Sequence, residues 1–419
     1  MIALFCLLAT ATADAAEGEV SGYVAAALEQ SPEVRAAFHR WQSAVHRVAR
    51  ARTLPEPTLR FGVFVQSVET RVGPQQARIS VQQAFPWPTK LTAGGKAASA
   101  DARAAQAVLE ATSLSVAHRV QAAFWSLWEV RTTNALHREH LEIVTGLSRT
   151  VRSRVEIGGA TLADLQQIDL SRARLEDAIH SMDERETTAE ARLRAVQGRR
   201  TAQTLPTTSE PTLAAVGETD LTHEVLAHPL LRVLAHGADA SDARARAAAA
   251  DRLPGFAVSG DWIVTGPAIV TGTPDSGKDA VVAGVGLRIP LWQGTYTHEI
   301  SAQRRMADAL RSEHAARGDR AIADLASALS SVRDSERRVR VLSGTLLPQA
   351  RASYSSVLGN YTVGQSAVAQ TLLSQRDLLD LSVELATASA DHQRAWAQLD
   401  EVVGRPVTRT PVQHPETAP

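Results

Sequence analysis

Two imidazoles, His137 and His140, sit at i and i+3 of a helical stretch and are the residues best spaced to share a cation. A metal site needs a third ligand, and this spacing is not the H-E-x-x-H of zinc proteases, so a solvated helix face is the competing reading. Gly284-Val285-Gly286-Leu287 lacks the third glycine and the helix start of a dinucleotide fingerprint. Asp275-Ser276-Gly277-Lys278 lacks the first half of a phosphate loop and reads as a turn between strands. The 13 histidines and 3 methionines are scattered, so no cation-handling cluster forms in the sequence. No nucleophile stands with a base, so the chain is not expected to be an enzyme or to hold a cofactor. Its 44 basic and 45 acidic side chains nearly cancel, which argues against a nucleic-acid partner.

What the sequence does carry is a corner, made twice. Ile79, Val81 and Phe85 alternate with Arg78, Ser80, Gln82 and Ala84, the period of a strand. The strand meets Phe85-Pro86-Trp87-Pro88, where neither proline can extend a ladder or sit inside a helix. Beyond Lys90 an alanine-rich helical pattern of about 65 residues runs to Val155, or about 100 Å at 1.5 Å per residue. Val281, Ala283, Val285, Leu287 and Ile289 repeat the alternation, break at Pro290-Leu291-Trp292, and lead into a second long helix from about Thr295 to Leu358, with a kink expected at Pro348. Val120, Phe124, Leu127, Leu141, Val144, Leu147, Val151 and Val155 form a coiled-coil-like seam on the first helix. Leu325, Leu329, Val332, Val339 and Leu346 do so on the second. Low aromatic content, 4%, also favours long packed helices over a thick core.

The breakers come in pairs. Pro32 matches Pro229, Pro55 matches Pro254, Gly158 matches Gly364 and Gly198 matches Gly404. The chain therefore divides into a first structural repeat over 17–197, a linker over 198–222, a second repeat over 223–404 and a Pro/Thr-rich tail over 405–419 expected to be disordered. Each repeat holds a helix, two strands (Thr58–Gln66 and Arg78–Phe85; Phe256–Val264 and the Val281 strand) and a long helical hairpin. Residues 1–16 read as a signal peptide: Ile2–Ala9 is a short apolar run followed by small residues. The only cysteine, Cys6, lies within it, and lipidation is disfavoured by Leu4 and Phe5 before it.

No stretch is long and apolar enough for a transmembrane helix. The strands instead alternate apolar residues with Arg60, Arg78, Gln82, Ser259, Asp261 and Arg288, and put Phe85, Trp87, Trp262 and Trp292 at their ends, as a membrane barrel would. Four strands cannot close a barrel, and an open edge is forbidden in lipid, so strands would be shared among subunits, three chains giving twelve. A soluble periplasmic scaffold with a four-stranded sheet and a helical stalk is the alternative.

The repeated order and two motifs resemble the TolC-type outer-membrane efflux factors from Pro32 to Pro406. Gln82-Gln83-Ala84-Phe85-Pro86-Trp87-Pro88-Thr89-Lys90 is similar to a strand-end signature of members paired with cobalt-zinc-cadmium-type exporters, with Thr89 in place of the usual glycine. Gly158 followed by Asp164 is similar to the family's helix break, repeated as Gly364 and Gln370, where glutamine replaces the usual aspartate. The resemblance implies a mainly α fold with a membrane β-barrel portion: a homotrimer with a shared twelve-stranded barrel in outer-membrane lipid and a trimeric α-barrel across the periplasm. It implies that Gly158, Gly159, Asp164, Gly364 and Gln370 form tips that dock a periplasmic adaptor (membrane fusion protein) beneath an inner-membrane transporter of the RND type. Phe85, Pro86, Trp87, Pro88, Pro290 and Trp292 would be the strand-to-helix corners. The implied function is a passive exit duct in the outer membrane of a Gram-negative-type cell, with metal cations as cargo, or alternatively a drug efflux or type I secretion component.

Overall fold

The structure is a computed structural model that describes residues 15–198, 205–207, 209–217 and 220–412. The leader expected over 1–16, with Cys6, lies outside these residues except at its last two positions. In chain order the elements are α1 (Ala15–Gln30), α2 (Pro32–Arg52), β1 (Thr58–Val63), β2 (Glu69–Thr70), β3 (Gly73–Phe85), α3 (Pro88–Glu156) and α4 (Leu162–Val196). After these come β4 (Ala214–Val216), α5 (Thr222–Leu226), α6 (Pro229–Ala250), β5 (Gly255–Thr265), β6 (Ala280–Arg288) and α7 (Gln293–Val341). A π-helical turn over Leu342–Leu346 leads into α8 (Leu347–Thr362), followed by α9 (Val368–Val403) and β7 (Arg409–Pro411). Among the described residues no helix is long and apolar enough to cross a membrane.

Contacts divide the chain into two units, and both draw on both halves of the sequence. One comprises Phe38–Val108 and Leu230–Arg317, the other the described residues within Met1–Ala37, Leu109–Pro229 and Gly318–Pro419.

The first unit is built on an antiparallel sheet in the order β1-β3-β5-β6, with β2 folded onto β3. Its central ladder, β3 against β5, joins a strand of one half to a strand of the other, with Ile79 opposite Trp262, Gln83 opposite Val258 and Phe85 opposite Phe256. Leu59, Phe61 and Val63 face Val81, Ile79 and Ala77, while Trp262, Val258 and Phe256 face Val281, Val285 and Leu287. Since side chains alternate across a pleat, these registers gather the apolar residues on one side and Arg60, Arg78, Ser80, Gln82, Ser259, Asp261 and Arg288 on the other. The apolar side is open: Phe61, Val63, Val281 and Val285 are each more than 70% exposed. Neither β1 nor β6 has a second partner strand among the described residues. Beneath the sheet the helices meet through alanine, including Ala93, Ala97, Ala100, Ala240, Ala243 and Ala307, and ion pairs tie Lys90 to Asp251 and Arg311 to Asp242. Side chains this small let long helices lie close, which the low helix-propensity cost of alanine also favours.

The second unit holds the C-terminal parts of α3 and α7 with α4, α8 and α9. Val120, Phe124, Leu127, Val144, Leu147 and Val151 are all buried along the seam expected on α3. Phe124 packs between Tyr23 and Trp125 at ring separations of 5.5 and 5.1 Å. On α7 the seam holds at Leu325, Val332 and Val339 but not at Leu346, which is 38% exposed, while Leu342 and Leu347 are buried. The π-helical turn explains the slip. Pro348 has no N–H, and its ring would strike the carbonyl four residues back in a regular helix. The wider turn relieves that clash and advances the buried face by one residue.

One further expectation is corrected here. Part of the tail expected to be disordered, Arg409–Pro411, forms β7 and pairs with β4 inside the stretch read as a linker. The stretch is also anchored by side chains: Tyr23 Oη donates to the Pro206 carbonyl at 2.8 Å, Arg131 reaches Leu205 and Thr207 while pairing with Glu186, and Gln393 Nε2 donates to the Thr212 carbonyl at 2.6 Å. Residues 413–419 lie outside the described residues.

His392 locks this small sheet to the helices. Its Nε2 accepts from the Ala214 backbone N–H at 3.3 Å and from Trp396 Nε1 at 3.2 Å, while Nδ1 lies 3.0 Å from Ser335 Oγ. Two donors on Nε2 place the proton on Nδ1, and Ser335 passes the bond to the Val332 carbonyl. Burial, aided by nearby Arg409, pushes the imidazole down to about 4. A depressed folded-state value means that stability is complete above about pH 6.5 and is lost as pH falls toward 4, on the order of 3 kcal/mol over that window. Replacing His392 with leucine is expected to lower the denaturant midpoint at pH 7 and to flatten its decline between pH 6.5 and 4. Denaturation at stepped pH reads both, and an unchanged slope would remove His392 as the source.

Candidate functional site

The first hairpin tip is made by a helix that stops for a stated reason. At the end of α3, Gly158 takes φ +74°, its N–H reaches the Val155 carbonyl at 3.1 Å, and the Gly159 N–H reaches the Arg154 carbonyl at 2.7 Å. These are the paired bonds of a Schellman motif, which needs a left-handed residue and so favours glycine. Thr161 then caps α4: its hydroxyl accepts from the Asp164 N–H at 3.2 Å, and Asp164 Oδ2 accepts the Thr161 N–H at 3.0 Å. The Thr161 hydroxyl and N–H hold the Asp164 carboxyl below its ordinary value.

The second tip repeats the stop and not the start. Gly364 takes φ +80°, its N–H reaching Tyr361 O at 3.1 Å and the Gln365 N–H reaching Asn360 O at 2.8 Å. Ala367 occupies the N-cap of α9 with no side-chain bond, and Gln370 stands where Asp164 stands in the first tip. The aspartate-to-glutamine change is thus matched by the loss of its threonine partner.

The two tips touch through a residue that sequence reasoning missed. Arg154 Nη1 and Nη2 donate to the last carbonyls of α8, Tyr361 O at 3.1 Å and Thr362 O at 2.7 Å, and its guanidinium lies 4.7 Å from the Tyr361 ring centre. A cation there also suits the negative end of the helix dipole. Only an arginine in the last turn of α3 pointed to it, and nothing local indicated that its partner lay on the other hairpin. Immediately before each glycine stands an apolar side chain in the open, Ile157 and Val363. A Cβ built on Gly158 or Gly364 meets nothing within 4 Å, so both tips have free space around them.

The corners lie in the other unit. Pro88 occupies the first turn of α3, where its missing N–H costs nothing, and the Trp87 ring sits 6.1 Å from that of Phe256 at the foot of β5. Pro290 accepts from Gln293 Nε2 at 2.7 Å as α7 begins, and Leu291 and Trp292 are exposed.

The histidine pair is not a solvated face. His140 is buried with Nδ1 2.6 Å from Gln375 Nε2, and burial lowers the pKa of both His137 and His140. No cluster of three or more His, Cys, Asp or Glu side chains able to hold a metal occurs among the described residues.

A model of the outer membrane efflux protein family matches the chain twice, over residues 24–199 and 222–405. The chain belongs to that family. It is 23% identical over 291 residues to the outer membrane efflux protein BepC of Brucella suis biovar 1 (strain 1330), a match spanning 69% of this chain and 63% of BepC. Its fold is similar to that of CusC, with a TM-score of 0.78 at 14% identity over 93% of this chain and 92% of the other. It is similar also to VceC from Vibrio cholerae, with a TM-score of 0.74 at 16% identity over 93% and 96% of the two chains. The twofold match of the family model places one tip glycine, Gly158 or Gly364, and one strand-to-helix corner in each matched segment.

Proposed function

We propose that this member of the outer membrane efflux protein family is one subunit of a trimeric exit duct that passively conducts cargo through the outer membrane. The observation that carries the reading is the sheet: one continuous apolar face, exposed, bordered by two strands with open edges. In water such a face and such edges invite aggregation, and in lipid an open edge leaves backbone groups unsatisfied. Pairing β1 of one subunit with β6 of the next removes both problems at once. Three subunits then supply twelve long strands, with the apolar face toward lipid and the polar face lining water.

The hairpin tips are the second feature this reading uses. Gly158 and Gly364, each preceded by an exposed apolar residue and surrounded by free space, suit the close approach of a partner backbone. A periplasmic adaptor coupled to an inner-membrane transporter of the RND type is the partner this reading assigns to them. Arg154 would hold the two tips of one subunit together as that partner binds. The role of Gly159, Asp164 and Gln370 is to shape the turn and start the return helices. Metal cations are the cargo to which the strand-end motif points; drug efflux and type I secretion use ducts of the same design.

Fractionating cells that express the native chain, then sizing the detergent extract by light scattering, tests the assembly. The expected product is an outer-membrane trimer that dissociates on heating. A monomer in the soluble periplasmic fraction would replace the duct with a helical scaffold.

A further inference from the structure

The polar face of the sheet carries an unbalanced charge. Its charged residues are Arg60 on β1, Arg78 on β3, Asp261 on β5 and Arg288 on β6. The only acid among them is already engaged. Arg78 donates to Asp261 Oδ1 through Nε at 3.1 Å and Nη2 at 2.9 Å, and Ser80 Oγ donates to the same oxygen. Asp261 is 8% exposed, whereas the Arg78 side chain above it is about half exposed. Arg60 and Arg288 are exposed, and neither forms an ion pair among the described residues. Arg60 stands opposite Ser80, which stands opposite Asp261, while Arg288 stands opposite Gly255 at the other end of the β5–β6 ladder.

The acids beside the loops at the far end of the sheet are occupied as well. Glu69 Oε1 accepts from the Ile269 N–H at 3.4 Å, Asp275 lies 3.7 Å from Lys278, and Asp279 accepts from Trp262 Nε1 at 2.9 Å and the Thr265 N–H at 2.8 Å. Their neutral donors leave Glu69 and Asp279 charged, but both stand outside β1, β3, β5 and β6, and on the polar face of those strands the uncompensated charge is guanidinium.

We infer that Arg60 and Arg288 make the β-barrel an anion-admitting collar, so that the duct favours cargo of net negative charge over free cations. The inference rests on the duct reading above, in which this face lines the bore. Twelve strands about 4.8 Å apart enclose a bore with a radius on the order of 10 Å. That is close to the Debye length of about 8 Å at physiological salt, so rings of arginine on the wall are felt at the axis, and more strongly as salt is lowered. Rings of charged side chains set ion preference in pores in this way, arginine and lysine rings selecting anions. The inference sets the barrel against the metal-cation cargo to which the strand-end motif points.

Purified trimer in planar bilayers under a potassium chloride gradient gives the test, with citrate and hexaamminecobalt added in turn on the barrel side as trivalent probes of opposite sign. Wild type is expected to pass chloride in preference to potassium, increasingly at low salt, and to be blocked by citrate and not by the cobalt complex. The double variant Arg60→Gln with Arg288→Gln should shift the reversal potential toward potassium and relieve the citrate block. Asp261→Asn, which frees Arg78, should move both readings the opposite way. The single glutamine variants give smaller shifts in the same direction and serve if the double variant does not assemble. A wild type that prefers potassium and is blocked by the cobalt complex, or glutamine variants indistinguishable from it, would overturn the inference and leave the duct standing. Absence of any conductance would instead remove the duct, and this inference with it.

Discussion

Val285→Arg is expected to abolish assembly of the trimer in the outer membrane. Val285 stands opposite Val258 midway along the β5–β6 ladder and is 81% exposed on the apolar face. An arginine at the bilayer midplane of a membrane barrel costs roughly 2–4 kcal/mol. In a trimer that cost recurs in every subunit, against the marginal stability typical of proteins. Val63→Arg, near the end of β1, should act in the same direction and more weakly, because the penalty fades toward the interface. Gln82→Arg is the matched control: it lies mid-strand opposite Ser259, on the polar face, and should assemble normally. Heat-modifiable trimer in outer-membrane fractions is the readout. Wild-type yield from Val285→Arg, or equal loss from Gln82→Arg, would mean that the apolar face does not meet lipid.

Glutamate at Gly158 or Gly364 should abolish efflux and leave the trimer intact. Both glycines hold left-handed backbone, at φ +74° and +80°, which costs a residue with a Cβ about 1–2 kcal/mol. That strain stays local, because a side chain at either position would enter open space and the helices behind the tips are fixed by Val144, Val151, Ile168, Leu175, Val368 and Leu379. A carboxylate would also face the helix C-terminus, where the dipole disfavours negative charge. Asparagine tolerates the left-handed region, so Gly158→Asn should keep more function than Gly158→Glu if the tip is a docking surface crowded by a partner. Efflux from cells carrying the native pump separates these outcomes from assembly, which is followed by trimer yield. Full efflux by both glutamate variants would place docking elsewhere.

Much of the molecule is written locally. Alternation over Arg78–Phe85 and Val281–Ile289 determined the strands and, because the side-chain period is two, also which residues share a face. Pro32, Pro88 and Pro229 fall in the first turns of α2, α3 and α6 because proline suits that position, and Gly158 and Gly364 end their helices because a Schellman turn needs a left-handed residue. These are properties of a residue and its near neighbours, so they survive without tertiary information.

The rest depended on contacts that no local pattern encodes. That β3 pairs with β5, and so brings Arg78 onto Asp261 across 183 positions of chain, is decided by register between distant strands. Arg154 looked like an ordinary basic residue in a last helical turn until the other hairpin put two carbonyls in its reach. The π-helical turn before Pro348 shifted a heptad seam from Leu346 to Leu347, an adjustment that a regular repeat cannot anticipate. The tail looked too polar to order, yet it and the linker each supply one strand of a two-stranded sheet, a ladder neither could make alone, and His392 binds it from α9. Backbone preference is local and was legible from the sequence; pairing, neutralised charge and buried hydrogen bonds need two distant segments at once, and only the tertiary structure set them.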